Sequence, residues 1–369
     1  MSRPPRILVS GYYGFANAGD EAILAGLVEG FGELAPGAEL TVLSGDPEDT
    51  AREHGVRAAP RGLRSAFSQL AEADLFVSGG GGLLQDATSW RSPLYYLGLM
   101  WLARRAEVPV ACIGHSIGPL RRRWVRWLTR QALNQVGLLT VRDALSETTL
   151  RALAVSREVH VTADLAFTLS PPTETEVAQV WARSGLTRDD RPVIALALRL
   201  PPGDVPTGFV AALAAAVSGP CRQLGLRPIF VPMQYPRDVT FAEEVVAQMP
   251  MPADIIRSRL AAREVLAFIG GCDLVVAMRL HALIFAAICH RPLVAISYDP
   301  KVVGLMGELG LPTATSTESF SSEALAGAVA EAWETKDAIS AALAERVPPL
   351  RGRSLSNVEL ALSLLRGKR

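Results

Sequence analysis

The sequence predicts an α/β protein with two successive domains, each built on a parallel β-sheet. Short apolar runs of strand-forming residues alternate along the chain with longer segments of helical spacing, a pattern typical of parallel sheets covered on both faces. The chain has 369 residues, which at about 150 residues per domain corresponds to two domains. The composition also changes after Phe167, where residues 170–176 (SPPTETE) have the character of a linker.

The first half contains the residue pattern of six strands. Each is a short apolar run that ends in a polar or glycine-rich turn, and the runs are residues 6–10, 39–44, 74–78, 108–113, 138–141 and 158–161. Helical spacing over residues 20–34, and in the other long intervals, predicts the helices that cover the sheet. We place the first domain at residues 1–170.

The same pattern restarts at Arg191. Strands are predicted at residues 191–198, 228–231, 274–277 and 293–296, with helices near 207–224, 238–248 and 263–270. The second domain is therefore placed at residues 171–350. Helical spacing over residues 357–365 predicts a terminal helix within 351–369, which we expect to pack back on the first domain.

Charge and hydropathy exclude several classes of protein. Basic and acidic residues number 37 each, so the neutral chain lacks the positive surplus of a dedicated nucleic-acid binder. No uncharged apolar run reaches the roughly 18 residues that a transmembrane helix needs, and no signal peptide is recognisable. The four cysteines form no CxxC pair and are interpreted as buried thiols in a reducing compartment. The chain is therefore expected to be cytoplasmic.

The first glycine-rich segment, residues 10–21 (SGYYGFANAGDE), joins the first strand to the first helix. A helix start at the carboxyl edge of a sheet presents free N–H groups to an anion. Asn17 is a candidate ligand contact, and Asp20 is expected to be the helix N-cap. An ordinary strand-to-helix turn is the alternative interpretation.

The second glycine-rich segment, residues 78–86 (SGGGGLLQD), also follows a predicted strand. Glycines let the backbone approach a ligand closely, so Gly80 and Gly81 are candidate contacts. Gln85 and Asp86 add polar groups directly after them. Glycine runs also occur simply to let a helix pack, so this segment alone is weak evidence.

The third segment, residues 114–120 (GHSIGPL), is predicted to be a loop after the strand at 108–113. His115 and Ser116 resemble part of a hydrolase site, but the order is not the G-x-S-x-G of a nucleophile elbow. A nucleophilic Ser116 is therefore not favoured.

Arg121–Arg130 (RRRWVRWLTR) has five arginines, two tryptophans and no acidic residue. This composition is typical of a helix at a membrane surface. It also suits a pyrophosphate or another polyanion, and a core helix with a solvated basic face is the third interpretation.

Cations and polar groups recur where predicted strands end. Arg142 and Arg199 follow strands in the first and second halves, and Gln234 follows another. Each arginine is placed to bind an anion; the alternative for Arg142 is an ion pair with its neighbouring acid, Asp143.

The richest segment is residues 278–283 (MRLHAL). Arg279 and His281 open a helix there, and Lys301, one of only three lysines, follows the next predicted strand. A guanidinium, an imidazole and an ammonium at neighbouring strand ends predict a site for an anionic substrate.

Together these segments resemble the polysaccharide pyruvyl transferase family. The matching pieces lie in order along most of the chain: GYYGFANAGDEAI at 11–23, SGGGGLLQD at 78–86, IGP at 117–119, VRD at 141–143, MRLHAL at 278–283 and YDPK at 298–301. The resemblance is closest to bacterial enzymes that pyruvylate secondary cell-wall polymers, the modification that anchors S-layer proteins.

The resemblance implies two Rossmann-like domains facing across a cleft, as in glycosyltransferases of the B type. It implies transfer of the enolpyruvyl unit of phosphoenolpyruvate to two hydroxyls of a sugar, which forms a pyruvyl ketal and releases phosphate. For the cell-wall enzymes the implied acceptor is a β-linked N-acetylmannosamine on a lipid-diphosphate disaccharide. A peripheral contact with the inner membrane surface would then be useful.

The chemistry assigns roles to the candidate residues. Phosphoenolpyruvate carries a carboxylate and a phosphate, which Arg279, Lys301 and Arg142 suit by charge, with the Arg121–Arg130 cluster competing for the last place. His281 is the candidate general acid, or else the base. Asp86 or Asp164 is the candidate base for the acceptor hydroxyl. No cofactor and no metal are expected, because phosphoenolpyruvate is a co-substrate and the cations suffice.

Two other functions fit the same residues. A nucleotide-sugar glycosyltransferase would use Arg279 and Lys301 to hold a diphosphate. A non-catalytic sugar-binding protein is disfavoured by the concentration of Arg, His and Lys at strand ends.

Overall fold

The computed structural model describes residues 3–87, 89–187, 189–201, 203 and 206–366. Its contacts divide the chain into two compact units. The first unit comprises Met1–Phe15, Asp20–Leu169 and Pro349–Arg369, and the second comprises Ala16–Gly19 and Ser170–Pro348. The division at Leu169 and Ser170 falls one residue before the boundary placed from the sequence.

Each unit is a parallel α/β structure, which confirms the predicted fold class. The strands of the first unit are β1 (Arg6–Ser10), β2 (Glu39–Ser44), β3 (Arg57–Pro60), β4 (Leu75–Ser78), β5 (Gly81–Leu84), β6 (Val110–Ile117), β7 (Leu138–Val141) and β8 (His160–Val161). Its helices are α1 (Ala18–Leu34), α2 (Pro47–His54), α3 (Leu63–Leu70), α4 (Arg91–Arg105), α5 (Arg123–Leu133) and α6 (Ala144–Ala152), with a 3-10 turn at Leu165–Thr168.

The second unit has a smaller sheet. Its strands are β9 (Val193–Ala197), β10 (Arg227–Phe230), β11 (Asp254–Ile255), β12 (Leu274–Ala277), β13 (Leu293–Ser297) and β14 (Thr313–Ser316). Its helices are α7 (Glu174–Arg183), α8 (Phe209–Leu224), α9 (Arg237–Val246), α10 (Ala262–Gly270), α11 (Leu280–Ile288), α12 (Pro300–Glu308) and α13 (Ser322–Glu334). The last helix, α14 (Lys336–Arg366), contributes to both units.

The two sheets have the same central topology. The first runs β3-β2-β1-β4-β6-β7-β8, with β5 added beside β6, and the second runs β11-β10-β9-β12-β13-β14. In each sheet the chain builds one side first and then crosses over to build the other. The crossover points, between β1 and β4 and between β9 and β12, are where open parallel sheets bind ligands.

Alternation along the strands buries both faces of the first sheet. Ile7 and Val9 of β1 belong to a core cluster with helix α1, whereas Leu8 belongs to a second cluster with helix α4. Side chains at successive strand positions point to opposite faces, so a continuous apolar run supplies two cores at once. The second sheet has a corresponding cluster around Ile194 and Leu196.

Two local predictions were wrong, and a third gave the wrong start for a helix that is present. The third segment is not a loop, because β6 continues through His115 and Ser116 to Ile117. Part of the glycine run forms β5, which pairs with that extension of β6. The terminal helix begins at Lys336 and passes through Pro348 and Pro349 without a break.

Candidate functional site

The crossover point of the second sheet gathers the predicted cations. Arg199 follows β9, Arg279 follows β12, and Lys301 lies just beyond β13, the next strand of the sheet. The backbone N–H groups of Met278 and Arg279 both donate to Ala197 O, at 3.0 and 3.4 Å, so the ends of β9 and β12 are joined there. Three of the predicted site residues therefore lie at one edge of one sheet.

Arg279 is held in place by a buried carboxylate. Its Nε donates to Asp238 Oδ2 at 3.0 Å, and its Nη2 donates to Asp238 Oδ1. Asp238 also accepts the backbone N–H groups of Met233 and Gln234, at 3.1 and 2.9 Å. A bidentate pair fixes the plane of a guanidinium, so Asp238 orients Arg279 and ties it to the loop after β10.

His281 lies in the first turn of α11, where the helix N-terminus adds partial positive charge. Gly19 packs directly against its ring: a Cβ on residue 19 would lie 2.3 Å from His281 Nδ1. Any side chain at residue 19 would displace the imidazole. The position of the His281 ring therefore requires a glycine at residue 19.

A short antiparallel bridge holds Gly19 in position. Asn17 pairs with Gln234 across this bridge, and Ala18 N donates to Met233 O at 2.8 Å. Asn17 Oδ1 accepts the N–H of Gly19 at 3.1 Å. Asn17, immediately before α1, therefore occupies the N-cap position that the sequence assigned to Asp20, which instead lies in the first turn.

Lys301 occupies the first turn of α12, whose N-cap is Asp299. The Asp299 carboxylate accepts the backbone N–H of Lys301 at 2.9 Å. Arg199 lies over the ring of Tyr298, with Cζ 4.9 Å from the centroid, a cation–π contact within the same edge. Two helix N-termini and four basic side chains, those of Arg199, Arg279, His281 and Lys301, thus converge on the carboxyl edge of the second sheet.

The corresponding edge of the first sheet holds a buried tyrosine, Tyr13. A Cβ on Gly11 or on Gly79 would lie within 2.6 Å of Tyr13 Oη, so these two glycines make room for the phenol between β1 and β4. Burial, aided by nearby acids such as Asp20, raises the pKa of Tyr13 well above its usual value. Burial likewise raises the pKa of Tyr96. Both phenols are therefore neutral at ordinary pH.

His115 is a buried neutral histidine. Its Nε2 lies 3.1 Å from Ser78 O and 3.2 Å from Ser78 Oγ. Burial lowers the pKa of His115 to about 4, the nearby charge of Arg142 acts in the same direction, and the hydrogen bond to Ser78 opposes both. His115 is therefore uncharged at neutral pH, and the adjacent Ser116 is buried inside β6.

Arg142 is enclosed by acids. Its Nη1 donates to Asp164 Oδ2 at 2.5 Å, and its Nε lies 3.5 Å from Asp143 Oδ2. The Arg142 and Asp164 side chains are only 7% and 5% exposed. The partner that the sequence suggested, Asp143, is the more distant one and caps α6 by accepting Ser146 N at 2.7 Å.

The remaining predicted residues belong to the glycine-rich segment of the first unit. Gly80 packs on the backbone of Gly114, Gly81 has a φ of +93°, and Gln85 accepts the N–H of Ala87 at 2.9 Å. Asp86 is buried and accepts the backbone N–H groups of Arg121 and Arg122, at 2.6 and 2.8 Å. Burial alone would raise the pKa of Asp86, but these bonds and the Arg122 charge lower it.

The structure therefore sorts the predicted residues into two groups. The second unit holds Asn17, Arg199, Gln234, Arg279, His281 and Lys301, whereas the first holds Asp20, Gly80, Gly81, Gln85, Asp86 and Arg142. Sequence reasoning missed Asp238 and Gly19. The sequence signal for Asp238 was only that of an acid in the first turn of a helix after a strand. No sequence signal indicated that Gly19 contacts His281.

Within the described parts of the chain, no group of three or more His, Cys, Asp or Glu side chains is placed to hold a metal ion. Among the described helices, none is both long and apolar enough to cross a membrane.

Solved structures similar to this chain share its fold at low identity. A UDP-GlcNAc 2-epimerase from Neisseria meningitidis, bound to UDP-GlcNAc, is 11% identical with a TM-score of 0.65, over 97% of this chain and all of that one. A glycosyltransferase from Rickettsia africae has the same identity and TM-score over 99% of both chains. The MnaA–UDP complex from S. aureus is 12% identical with a TM-score of 0.61, over 98% and 97% of the two chains.

Sequence comparison is more specific. The amylovoran biosynthesis protein AmsJ of Erwinia amylovora is 24% identical over 273 residues, which are 70% of this chain. The match spans 65% of the length of that relative. The family model of the polysaccharide pyruvyl transferases matches residues 17–300, a range that runs from Asn17 through Arg279 and His281. The chain that builds this cationic strand edge is thus a member of the polysaccharide pyruvyl transferase family.

Proposed function

We propose that this protein transfers the enolpyruvyl unit of phosphoenolpyruvate to two hydroxyls of one sugar, forming a cyclic pyruvyl ketal and releasing phosphate. The proposed acceptor is a β-linked N-acetylmannosamine on a lipid-diphosphate precursor of a secondary cell-wall polymer that anchors an S-layer. Membership of the pyruvyl transferase family supports the reaction class. The observation that carries the proposal is the convergence of Arg279, His281 and Lys301 on one strand edge.

The donor suits this edge by charge. Phosphoenolpyruvate has a carboxylate and a phosphate on the same carbon, C2, and each needs a cationic or N–H partner. In the proposal, Arg279, oriented by Asp238, binds one anionic group, and Lys301 with the α12 N-terminus binds the other. Arg199, stacked on Tyr298, adds a third positive charge. Neutralising the phosphate also makes it a better leaving group.

The reaction balances with one proton donor. In the proposal, protonated His281 gives its proton to the CH2 carbon, which becomes a methyl group while positive charge develops at C2. The first sugar hydroxyl adds to C2 and loses its proton. The phosphate takes that first hydroxyl proton as the C2–O bond breaks, and the second hydroxyl adds and returns its proton to His281, so that the ketal and hydrogen phosphate are the products.

The location follows from the substrates. Phosphoenolpyruvate is an intracellular metabolite, so we place the reaction in the cytoplasm, and a lipid-linked acceptor would bring it to the inner face of the plasma membrane.

The decisive test supplies both substrates. The purified protein is incubated with phosphoenolpyruvate and a nitrophenyl-tagged β-N-acetylmannosaminide, while inorganic phosphate and the acid-labile ketal are measured. One phosphate released per ketal is the expected result. Turnover of a nucleotide sugar, with no phosphate release from phosphoenolpyruvate on any such acceptor, would show a glycosyltransferase instead.

Variants locate the chemistry. His281→Ala is expected to abolish ketal formation and to keep the wild-type circular dichroism, whereas the control His160→Ala, at the edge strand β8, keeps full turnover. Wild-type turnover by His281→Ala would contradict the assigned active site.

A further inference from the structure

The largest unexplained feature lies on the outside of the first unit. Four of the six tryptophans are exposed there: Trp90, Trp101, Trp124 and Trp127 are 41, 55, 44 and 59% accessible. They stand on or beside α4 and α5, two helices that pack together. Exposed tryptophan is unusual on a soluble surface and indicates an interaction site.

Two of these tryptophans join the two helices at the surface. Trp90, just before α4, meets the ring of Trp124 in α5 edge-on, with centroids 5.9 Å apart. Arg91 lies over Trp90 at 5.6 Å, and Arg105 lies over Trp101 at 5.4 Å. We call this surface the α4–α5 face.

The charge of this face is mostly positive. Residues 89–137 contain eight arginines (Arg91, Arg104, Arg105, Arg121, Arg122, Arg123, Arg126 and Arg130), all exposed, against one acid, Glu107. The whole chain is neutral, so the surplus is local. An anionic surface is its complement.

An apolar groove runs between the two helices. It has a volume of about 410 Å³ and is lined mainly by Leu94, Leu97, Met100, Trp101, Leu128 and Ala132. Arg104 stands at the same groove. A duplex nucleic acid would use the arginines but would leave the groove and the tryptophan rings without a partner. A bilayer offers anionic headgroups for the arginines, an interface for the indoles and hydrocarbon for the groove.

We propose that the α4–α5 face docks the protein on an anionic lipid bilayer, with the tryptophans at the headgroup level and an acyl chain in the groove. This goes beyond a basic segment at Arg121–Arg130, because α4 supplies half of the tryptophans and most of the groove. The binding is peripheral and independent of the reaction at Arg279 and Lys301.

The test is flotation of the full chain with vesicles of phosphatidylcholine alone or mixed with phosphatidylglycerol. The wild type is expected to float with the anionic vesicles at low salt, and its indole emission to shift to the blue. Replacing Arg123, Arg126 and Arg130 together by Gln is expected to lower partitioning about 100-fold, since each arginine near an anionic surface is worth about fivefold. Trp101→Ser with Trp127→Ser is expected to lower it at least tenfold and to remove the emission shift.

Matched controls separate this proposal from the others. Arg222→Gln, an exposed arginine on α8, and Phe67→Ser, an exposed aromatic on α3 that is 62% accessible, are expected to float like the wild type. Lys301→Ala is also expected to float normally even if it is inactive, so failure of the catalytic proposal would not affect this one. A wild type that stays in the soluble fraction with anionic vesicles at low salt would overturn the proposal. Equal flotation of the wild type and both sets of variants, or binding to duplex DNA without binding to vesicles, would also overturn it.

Discussion

The carboxyl edges of the two sheets share a topology and differ in electrostatics. At the edge of the second sheet, Arg279 and Lys301 follow neighbouring strands beside two helix N-termini. At the edge of the first, the space between β1 and β4 holds the phenol of Tyr13, and the nearest strand-end arginine, Arg142, is enclosed by Asp164 and Asp143. The same strand order therefore carries basic side chains at its edge in one unit, and a buried phenol and an enclosed arginine in the other.

The comparison teaches that a strand-end arginine is not by itself an anion site. Arg279 and Arg142 both pair with a buried acid, but Asp238 fixes Arg279 from the side that also holds the loop after β10. Asp164 and Asp143 approach Arg142 through different nitrogens. Arg142 therefore has two possible roles: binding phosphoenolpyruvate, as the sequence predicted, or stabilising the fold of the first unit. Stability measurements distinguish the two roles.

The largest expected effect is on folding of the first unit. Arg142→Met leaves Asp164 buried without its countercharge, which costs about 3 to 5 kcal/mol of unfolding free energy. The double variant with Asp164→Asn is expected to recover most of that loss, because no unpaired charge remains. Denaturant unfolding measures both.

The control for Arg142 is an exposed ion pair on the next helix. Arg151 and Glu147 pair on α6, with Arg151 77% exposed, and Arg151→Met is expected to change stability by less than about 0.5 kcal/mol. If Arg142→Met were as stable as the wild type but released no phosphate, Arg142 would belong to the donor site and the contrast between the two edges would fail.

Lys301 is expected to show the opposite behaviour. Lys301→Ala removes a charge from the proposed donor site, so phosphate release should fall about 100- to 1,000-fold, as when one stabilising group of a transition state is removed, with no change in melting temperature. Lys336→Ala is the matched control, because that lysine lies over Trp333 with Nζ 4.1 Å from the ring centroid, remote in sequence from the strand edge. Equal loss of activity in both variants would remove Lys301 from the site.

Much of the architecture was readable from the sequence because it depends on local periodicity. The apolar runs at 6–10, 39–44, 274–277 and 293–296 are strands within a residue of their predicted limits. The errors lie where distant partners decide. Residues 81–84 form a strand only because β6 extends beside them, and α14 continues through Pro348 and Pro349 although proline favours a helix boundary there.

The site divides in the same way. Residue type and strand-end position are local, and they predicted the place of Arg279, His281 and Lys301 at one edge. The contacts that orient these residues are long-range: Asp238 lies 41 positions from Arg279, and Gly19 is far from His281 in sequence. No periodicity encodes such pairs, so the sequence could name the charged groups but not the groups that hold them.

The burial of neutral His115 in the first unit predicts a pH dependence of the free energy of unfolding. Its pKa is lowered from 6.5 to about 4 by burial. Between these two pH values His115 is therefore protonated in the unfolded chain and neutral in the folded chain. The stability due to neutral His115 is complete above pH 6.5 and is lost as the pH falls towards 4. Between pH 7.5 and 5 the loss amounts to about 2 kcal/mol. His115→Gln, which keeps a donor for Ser78 O, is expected to show that much less pH dependence in denaturant unfolding. An unchanged pH profile would mean that His115 is protonated in the folded state.

Gly19 tests the second edge with the smallest expected effect, since only the orientation of one ring is altered. A methyl group at residue 19 would lie 2.3 Å from His281 Nδ1, so Gly19→Ala should rotate the imidazole away from its position. We expect kcat to fall about tenfold, while KM for phosphoenolpyruvate changes little because Arg279 and Lys301 remain.

Gly32 provides the control within the same helix, because a Cβ there meets nothing within 4 Å. Gly32→Ala should keep full activity and gain up to about 1 kcal/mol of stability from helix propensity. A fall in activity of equal size in both variants would point to a general effect on α1, whereas full activity in Gly19→Ala would show that the chemistry does not depend on where His281 is held.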